Sequence, residues 1–261
     1  MTRVLSLLSI VALAYIGLCA WLYVNQRKML FQPTRLPLSV LPYQAHLAFD
    51  GRALVFDPPG TTRATAIVYH GNAGYAGDRL SYVHALGQFG VRVVLAEYPG
   101  YGWRSGQPSE QSLVDDGLNL YNAVCASMSS GQPLLLLGES LGSGVAVQIA
   151  AEAKTPPERL ILITPFSSLT KVAQKHFPWL PARWLVRDPF RSERYLPRYK
   201  GHVTLVIAGQ DEVVGPETGR ELSEAVSSES HARVIELAGA HHNDWMTAAP
   251  AGFWQEVAEL R

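Results

Sequence analysis

The chain has 261 residues and a balanced charge, with 22 Lys and Arg against 22 Asp and Glu. A net charge of zero gives no electrostatic field that would favour nucleic acid as a partner. Two cysteines, Cys19 and Cys125, cannot build a disulfide framework or a zinc site of thiolates. The length suits one α/β domain with an appendage.

The appendage is N-terminal. Val4–Val24 carries no charge, and as a helix it would extend about 30 Å, the thickness of the hydrocarbon core of a bilayer. The run ends on bulky and aromatic residues, whereas a cleaved signal peptide has a shorter apolar region and a small-residue cleavage site. We predict a single-pass membrane anchor over residues 1–28, with a removed signal peptide as the alternative. Basic residues flank both ends, which leaves the orientation open.

A tether with three prolines, Met29–Tyr43, leads to a region where short apolar runs alternate with helical stretches. A hairpin with a tight Asp50-Gly51 turn comes first. The predicted strands then follow at Ala66–Tyr69, Val91–Ala96, Leu134–Leu137, Leu160–Ile163, Val203–Ala208 and Arg233–Leu237, and the helices between them include Asp78–Gln88, Ser109–Ala126 and Pro216–Ala225. This alternation predicts a mostly parallel sheet covered by helices on both faces and preceded by an antiparallel hairpin.

Gly138-Glu139-Ser140-Leu141-Gly142 is the most informative motif. It lies between an apolar strand and a helix-compatible run that stops before Pro156-Pro157, so it indicates a strand, a sharp turn and a helix. Glycines on both sides let the backbone make this turn, which projects the Ser140 hydroxyl from the top of a sheet. We interpret Ser140 as a nucleophile.

A serine nucleophile needs a base and a carboxylate that orients the base. Asp211 lies on a loop beyond the strand Val203–Ala208, with Glu212 as the rival carboxylate. His241 and His242 follow the next strand. The order Ser, acid, His at the carboxyl ends of different strands is that of a known catalytic triad.

Backbone N–H groups would stabilise the oxyanion. The residue after the nucleophile, Leu141, supplies one, and Asn72 in His70-Gly71-Asn72 supplies the second. We expect His70 to be structural. This chemistry needs neither a metal nor a cofactor.

The segment Pro165–Lys200 is long for a crossover and contains five prolines. Loops of this length are usually functional or carry their own structure. We predict a small lid over Ser140. Its aromatic residues would pack the lid onto the domain, and one or two of them would line an acyl pocket: Phe166, Phe177, Trp179, Trp184 and Phe190.

From about Phe31 onwards the chain resembles the α/β-hydrolase superfamily, and most of all the membrane-anchored Bem46/ABHD13/ABHD17-type serine hydrolases, whose characterised relatives include protein depalmitoylases. The motifs that carry this resemblance are His70-Gly71-Asn72-Ala73-Gly74, Tyr98-Pro99-Gly100-Tyr101-Gly102, Gly138-Glu139-Ser140-Leu141-Gly142, Gly209-Gln210-Asp211-Glu212-Val213-Val214 and Gly239-Ala240-His241-His242-Asn243-Asp244. The resemblance implies an esterase or thioesterase that acts on acyl chains. Two departures stand out: Gly215 intervenes before Pro216, and His241 replaces the usual glycine before the catalytic histidine, which aligns with His242.

We therefore expect an α/β-hydrolase domain over residues 29–261, with a lid at about 165–200, behind a transmembrane anchor. Ser140, His242 and Asp211 would cleave a carboxylic ester or thioester of an acyl substrate through an acyl-enzyme, with Asn72 and Leu141 at the oxyanion. The alternatives are a serine peptidase of the same fold and a catalytically silent scaffold tethered to a membrane. A metal site is a third reading, with His231, His241, His242 and Asp244 as ligands.

Overall fold

The computed structural model describes residues 2–42 and 45–258. The N-terminal helix α1 spans Thr2–Leu30 and contains the whole apolar run Val4–Val24. Its apolar side chains are exposed, and it has the length and composition of a membrane-crossing helix. The division of the chain at residue 28 stays a prediction. The predicted end of the tether, Tyr43, and the last residue of the predicted domain, Arg261, lie outside the described residues.

The strands form two sheets. A two-stranded parallel sheet pairs β1 (Gln32–Pro33) with β5 (Ala73–Gly74). The main sheet has eight strands in the order β10-β9-β8-β7-β4-β6-β3-β2. Its strands are β2 (His46–Ala48), β3 (Ala53–Phe56), β4 (Ala64–Tyr69), β6 (Val91–Ala96), β7 (Leu134–Glu139), β8 (Arg159–Ile163), β9 (His202–Ala208) and β10 (His231–Leu237). β3 runs antiparallel to both of its neighbours, β2 and β6, and the other adjacent pairs are parallel, so the sheet is mostly parallel, as the sequence predicts.

Helices cover both faces of the main sheet. The helices after α1 are α2 (Leu80–Gly87), α3 (Glu110–Ser127), α4 (Leu141–Glu152), α5 (Leu169–His176), α6 (Ala182–Leu185), α7 (Ser192–Tyr195), α8 (Pro216–Glu224), α9 (Trp245–Ala248) and α10 (Phe253–Ala258). Local sequence determines several helix starts. The Ser109 hydroxyl accepts the Ser112 N–H and caps α3, and Pro216 occupies the first turn of α8. The strands bury apolar side chains on both faces, which gives one core on each side of the sheet.

The carboxyl ends of the parallel strands meet at one edge of the sheet. The loops after β4, β7, β9 and β10 begin there, and they carry Asn72, Ser140, Asp211 and His242. The observed strands start or end at most two residues away from the predicted ones, because apolar runs between turn residues mark them in the sequence. The fold class is confirmed.

The segment 165–200, predicted from the sequence as a lid and called the lid below, contains α5, α6 and α7, and it packs against the second half of α1. Its role as a cover over Ser140 stays a prediction. Asp188 is the centre of this contact. Its side chain is 3% exposed and receives two hydrogen bonds from Arg27, at 2.7 and 2.9 Å, and one at 2.9 Å from the Glu110 N–H at the start of α3. One buried carboxylate therefore joins α1, the lid and α3.

Removing the guanidinium should destabilise this junction. Arg27→Ala leaves the buried Asp188 carboxylate with only the Glu110 N–H, and we expect a loss of about 1 to 3 kcal/mol in the free energy of unfolding. Arg27→Lys should restore part of it, because an ammonium cannot form both hydrogen bonds in the same geometry.

Thermal unfolding of the full-length protein in detergent micelles measures this effect. Lys28→Ala is the matched control, because Lys28 is the exposed next residue and its replacement removes the same charge. Equal midpoints for Arg27→Ala and Lys28→Ala would contradict the role given to Asp188.

Candidate active site

Ser140 occupies a sharp bend between β7 and α4. Its backbone φ is 52° and its ψ is −117°, a conformation that non-glycine residues rarely adopt and that clusters at functional sites. The flanking glycines make the bend possible. A Cβ on Gly138 would collide with the Gly142 carbonyl, and a Cβ on Gly142 would collide with the Tyr69 carbonyl. The motif therefore has glycine at positions 138 and 142 because any side chain there would collide with the backbone.

His242 lies between Ser140 and Asp211. Its Nε2 is 2.9 Å from the Ser140 Oγ, and its Nδ1 is 2.7 Å from the Asp211 Oδ2. The imidazole is nearly buried, at 7% exposure, on the loop after β10. The structure thus brings together the three side chains that the sequence analysis selected, in one hydrogen-bonded chain.

Asp211 accepts hydrogen bonds on both carboxylate oxygens. Oδ1 accepts the N–H groups of Val213 and Val214, each at 2.9 Å, while Oδ2 faces His242. Burial by itself would raise the pKa of Asp211, but the hydrogen bond and charge of His242 and the two N–H groups outweigh burial, so the pKa lies below its usual value. The group is therefore an ionised acceptor at neutral pH.

The rival residues pair with each other at the rim. The His241 side chain is 53% exposed, and its Nδ1 lies 3.3 Å from the Glu212 Oε2. The His241 N–H donates to Asp244 Oδ1 at 2.6 Å, which fixes the turn that separates the two imidazoles. The two adjacent imidazoles therefore point in different directions: His242 faces Ser140, and His241 faces solvent.

The two predicted oxyanion donors lie on the loop after β4 and at the start of α4. Leu141 is the first residue of α4, so its N–H has no carbonyl partner within the helix. Asn72 is held by three hydrogen bonds: its side chain donates to the Leu30 carbonyl at 2.9 Å, and its own carbonyl accepts from the Gln32 N–H and the Tyr101 hydroxyl. These bonds do not use the backbone N–H of Asn72.

His70 has a supporting position beneath this loop. Its ring is buried, with Nδ1 2.8 Å from the Gly71 carbonyl and Nε2 3.1 Å from Glu97 Oε1. Glu97, a residue that the sequence analysis missed, also accepts the N–H groups of Ala76 and Tyr98. The position of Glu97, a single acidic residue directly after the apolar strand β6, is the sequence feature that could have indicated this role. The Glu97 carboxylate fixes the loops that follow β4 and β6.

The lid aromatics divide into three groups. Phe166 and Phe190 are fully buried in the core, and Trp184 is 69% exposed. Phe177 and Trp179 line a cavity of about 530 Å³ that is almost entirely apolar. The other wall of this cavity is α1. Four of its lining residues belong to the predicted anchor and two to the predicted tether: Leu18, Leu22, Tyr23 and Gln26, and Met29 and Leu30.

The proposed metal ligands do not come together. His231 lies at the start of β10 and stacks on His202, with ring centroids 4.8 Å apart, while His242 follows the other end of the strand. Within residues 2–42 and 45–258, three or more side chains suited to a metal do not gather at any point.

A mostly parallel sheet with this strand order and a serine on the bend after β7 defines the class of the α/β-hydrolases. The family model described as "Serine aminopeptidase, S33" matches residues 60–198. The chain is also 33% identical to uncharacterized protein MT2364 of Mycobacterium tuberculosis, over 93% of this chain and 89% of the relative. The chain therefore belongs to the serine aminopeptidase S33 family of α/β-hydrolases.

Further relatives and solved structures agree with this class. Lysophosphatidylserine lipase ABHD12 of Gallus gallus is 30% identical over 64% of this chain and 48% of its own length, so the chain spans about half of that relative. The esterase Pf2001 of Pyrococcus furiosus has a TM-score of 0.66 at 18% identity, covering 88% of this chain and 97% of its own. Est1E from Butyrivibrio proteoclasticus has a TM-score of 0.65 at 17% identity, covering 83% of this chain and 96% of its own. These two structures share the fold.

The lowered pKa of Asp211 predicts a pH-dependent contribution to stability. A depressed carboxyl pKa stabilises the folded state above the unfolded value of about 3.9, and this stability is lost as the pH falls through the folded value. We expect Asp211→Asn to unfold more easily than wild type near pH 7, by about 1 to 3 kcal/mol, and the difference to shrink towards pH 3.

Chemical denaturation at a series of pH values measures this difference. Glu212→Gln is the control, because this neighbouring carboxylate is more than half exposed and should have a small effect. A difference between Asp211→Asn and wild type that stays constant over the acid range would contradict the assignment.

Proposed function

We propose that the protein is a serine hydrolase that cleaves an ester or thioester of an acyl substrate. The observation that carries this proposal is the hydrogen-bonded chain from the Ser140 Oγ through His242 to Asp211, with the serine on a strained bend. Nucleophile, base and orienting carboxylate are the three parts that acyl transfer to a serine requires.

The reaction proceeds in two halves. The Ser140 Oγ attacks the acyl carbonyl carbon while His242 Nε2 takes the hydroxyl proton, and Asp211 stabilises the resulting imidazolium. The N–H groups of Asn72 and Leu141 bind the oxyanion of the tetrahedral intermediate. His242 then gives the proton to the leaving oxygen or sulfur, which leaves an acyl-enzyme. Water, deprotonated by His242, attacks this acyl group and releases a carboxylic acid and free Ser140.

An acylated lipid is the substrate class that we favour. Relatives named lysophosphatidylserine lipases support it, and so does the apolar cavity beside the site. The sequence resemblance to Bem46/ABHD13/ABHD17-type hydrolases points in the same direction and adds thioesters. A peptidase is the second candidate, because the matching family is described as serine aminopeptidase. Hydrolysis of aminoacyl anilides without hydrolysis of acyl esters would favour it.

Labelling by an alkyl fluorophosphonate tests the assignment of the nucleophile and the base. Ser140→Ala should abolish labelling and lower ester turnover by several orders of magnitude, and His242→Ala should cost about as much, because triad members act as a unit. His241→Ala should retain most activity, since this imidazole pairs with Glu212 at the rim. Mass spectrometry locates the labelled residue.

His241→Ala and His242→Ala are matched controls for each other, because they remove the same side chain from adjacent positions. Greater loss from His241→Ala would reverse the assignment of the base. Labelling that survives Ser140→Ala would mean that the nucleophile is another residue, and a folded wild-type protein that hydrolyses nothing would favour the silent scaffold.

We also propose that α1 anchors the protein in a membrane. Its length and its exposed apolar side chains support this placement. The contacts between its second half and the lid support retention of the helix over its removal as a signal peptide.

Resistance to extraction by an alkaline carbonate wash tests the anchor. Full-length protein should stay with the membrane fraction. The pair Leu8→Arg and Val11→Arg should release it, because each arginine in the middle of the apolar stretch costs about 2.5 to 3.5 kcal/mol on insertion. The matched control, Leu8→Ala with Val11→Ala, should remain bound. Both pairs lie before Tyr15 and leave the lid contacts intact. A mature protein that begins after Val24 would contradict the proposal.

A further inference from the structure

The second half of α1 is bound to the lid along its length. At one end, the Tyr15 hydroxyl donates to the Trp179 carbonyl at 2.9 Å. At the other end, Gln26 donates to the Leu185 carbonyl and accepts the Arg187 N–H, both at 2.8 Å. The pair of Arg27 and Asp188 follows one residue later. The lid therefore runs beside the helix from Tyr15 to Arg27.

This contact places the tip of the lid at a defined depth. Tyr15 precedes Arg27 by 12 residues, which corresponds to about 18 Å along a helix. Half of the hydrocarbon core of a bilayer is about 15 Å thick. With Arg27 and Lys28 at the membrane surface, Trp179 would lie beside α1 at the depth of the lipid tails, near the middle of the bilayer.

The lid carries exposed aromatic and basic side chains that suit contact with a membrane. Phe177, Trp179 and Trp184 are exposed to a degree that is unusual for large aromatic residues, at 44%, 52% and 69%. The Arg183 guanidinium lies 3.9 Å from the centre of the Trp184 ring, and Arg187 lies over the ring of Tyr23. Aromatic rings paired with long basic side chains are typical of the boundary between hydrocarbon and headgroups, which suits Arg187 and Tyr23 close to Arg27. The uncharged rings of Phe177 and Trp179 suit the lipid tails.

The cavity between α1 and the lid has lining residues that contact two loops of the candidate active site. Its volume of about 530 Å³ is in the range of small-molecule sites. One lining residue, Leu30, accepts the side-chain hydrogen bond of Asn72. Another, His176, is 2.7 Å from the carbonyl of Val213, whose N–H donates to Asp211. The cavity therefore borders both the oxyanion loop and the acid loop.

We propose that α1 and the lid together form the acyl-chain site, and that one acyl chain of a lipid enters it sideways from the adjacent leaflet. The proposal rests on the proposed hydrolase function and membrane placement. An acyl chain is the occupant because the lining is apolar and the lid tip lies at the depth of lipid tails. The helix is then a wall of the substrate site as well as an anchor.

A pair of substitutions on α1 tests this. Leu22→Trp fills the cavity, because Leu22 lines it, whereas Val24→Trp adds the same bulk two residues away, where the side chain is exposed and does not line the cavity. Full-length protein is reconstituted in vesicles of phosphatidylcholine and phosphatidylserine. Hydrolysis of a palmitoyl lysophospholipid in the vesicles is compared with hydrolysis of p-nitrophenyl acetate in solution.

We expect Leu22→Trp to lower kcat/KM for the palmitoyl substrate by about tenfold or more, as displacement of about two methylenes from an apolar site does. Hydrolysis of p-nitrophenyl acetate should stay at the wild-type rate, which also shows that the variant is folded. Val24→Trp should leave both rates unchanged. Equal palmitoyl hydrolysis by Leu22→Trp and wild type would overturn the proposal.

Quenching of tryptophan fluorescence by phospholipids brominated on their acyl chains gives a readout that needs no catalysis. Replacing Trp179 and Trp184 together by Phe should remove a large part of the quenching. Trp103→Phe should not, because the Trp103 indole N–H is bound to the Gly51 carbonyl in the turn between β2 and β3. Undiminished quenching in the double variant would overturn the insertion of the lid tip. A wild-type protein that hydrolyses neither substrate would instead overturn the proposed hydrolase function, and the quenching result would still decide the position of the lid.

Discussion

The bend at Ser140 is the constraint on which this arrangement depends. The serine backbone has a positive φ, and it keeps this conformation because β7 and α4 leave no other route between them. The Ser140 N–H is bound to the Ile163 carbonyl of the neighbouring strand at 2.9 Å, so the bend is part of the sheet. Strained conformations persist where the surrounding structure over-determines them. Here the sheet edge, the helix and two glycines do so.

Carboxylates that are shielded from water hold together the segments around this bend. Glu97 ties the loops after β4 and β6, and Asp188 ties α1, the lid and α3. Glu110 adds to the second junction, because its side chain accepts the Phe190 N–H and the Gln148 amide, and burial raises its pKa. In each case a charge out of water is held by several donors, which makes the geometry specific. A carboxylate with this many partners allows one arrangement of the segments that it joins.

In the proposed acyl-chain site, α1, the lid and Ser140 act on the same substrate molecule. Hydrogen bonds join the lid to α1 at Gln26 and Arg27 and to α3 at Glu110. The cavity lies between α1 and the lid. A lipid that reaches Ser140 along this route would keep its acyl chain in apolar surroundings throughout. The energetic cost of exposing that chain to water is thereby avoided. Anchoring and substrate selection then depend on the same residues of α1.

Local sequence pattern was enough to predict the strands of the sheet, the edge at which its loops begin and the residues on those loops. Apolar runs between turn residues mark strands directly, and glycines around Ser140 record a steric requirement, so these features could be predicted from local pattern. Which histidine faces the serine could not be predicted from spacing alone. The Asp244 carboxylate decides it by holding the His241 N–H and turning the two rings apart.

The contacts between α1 and the lid also could not be predicted from the local sequence pattern. An apolar run has the same composition whether lipid or protein surrounds it, so the sequence indicated a membrane helix and nothing about its lid contacts. Arg27 and Asp188 are 161 residues apart, as are Gln26 and Arg187. Only the folded chain brings such distant groups within hydrogen-bond distance, and it is this tertiary pairing that makes the helix a wall of the cavity between α1 and the lid.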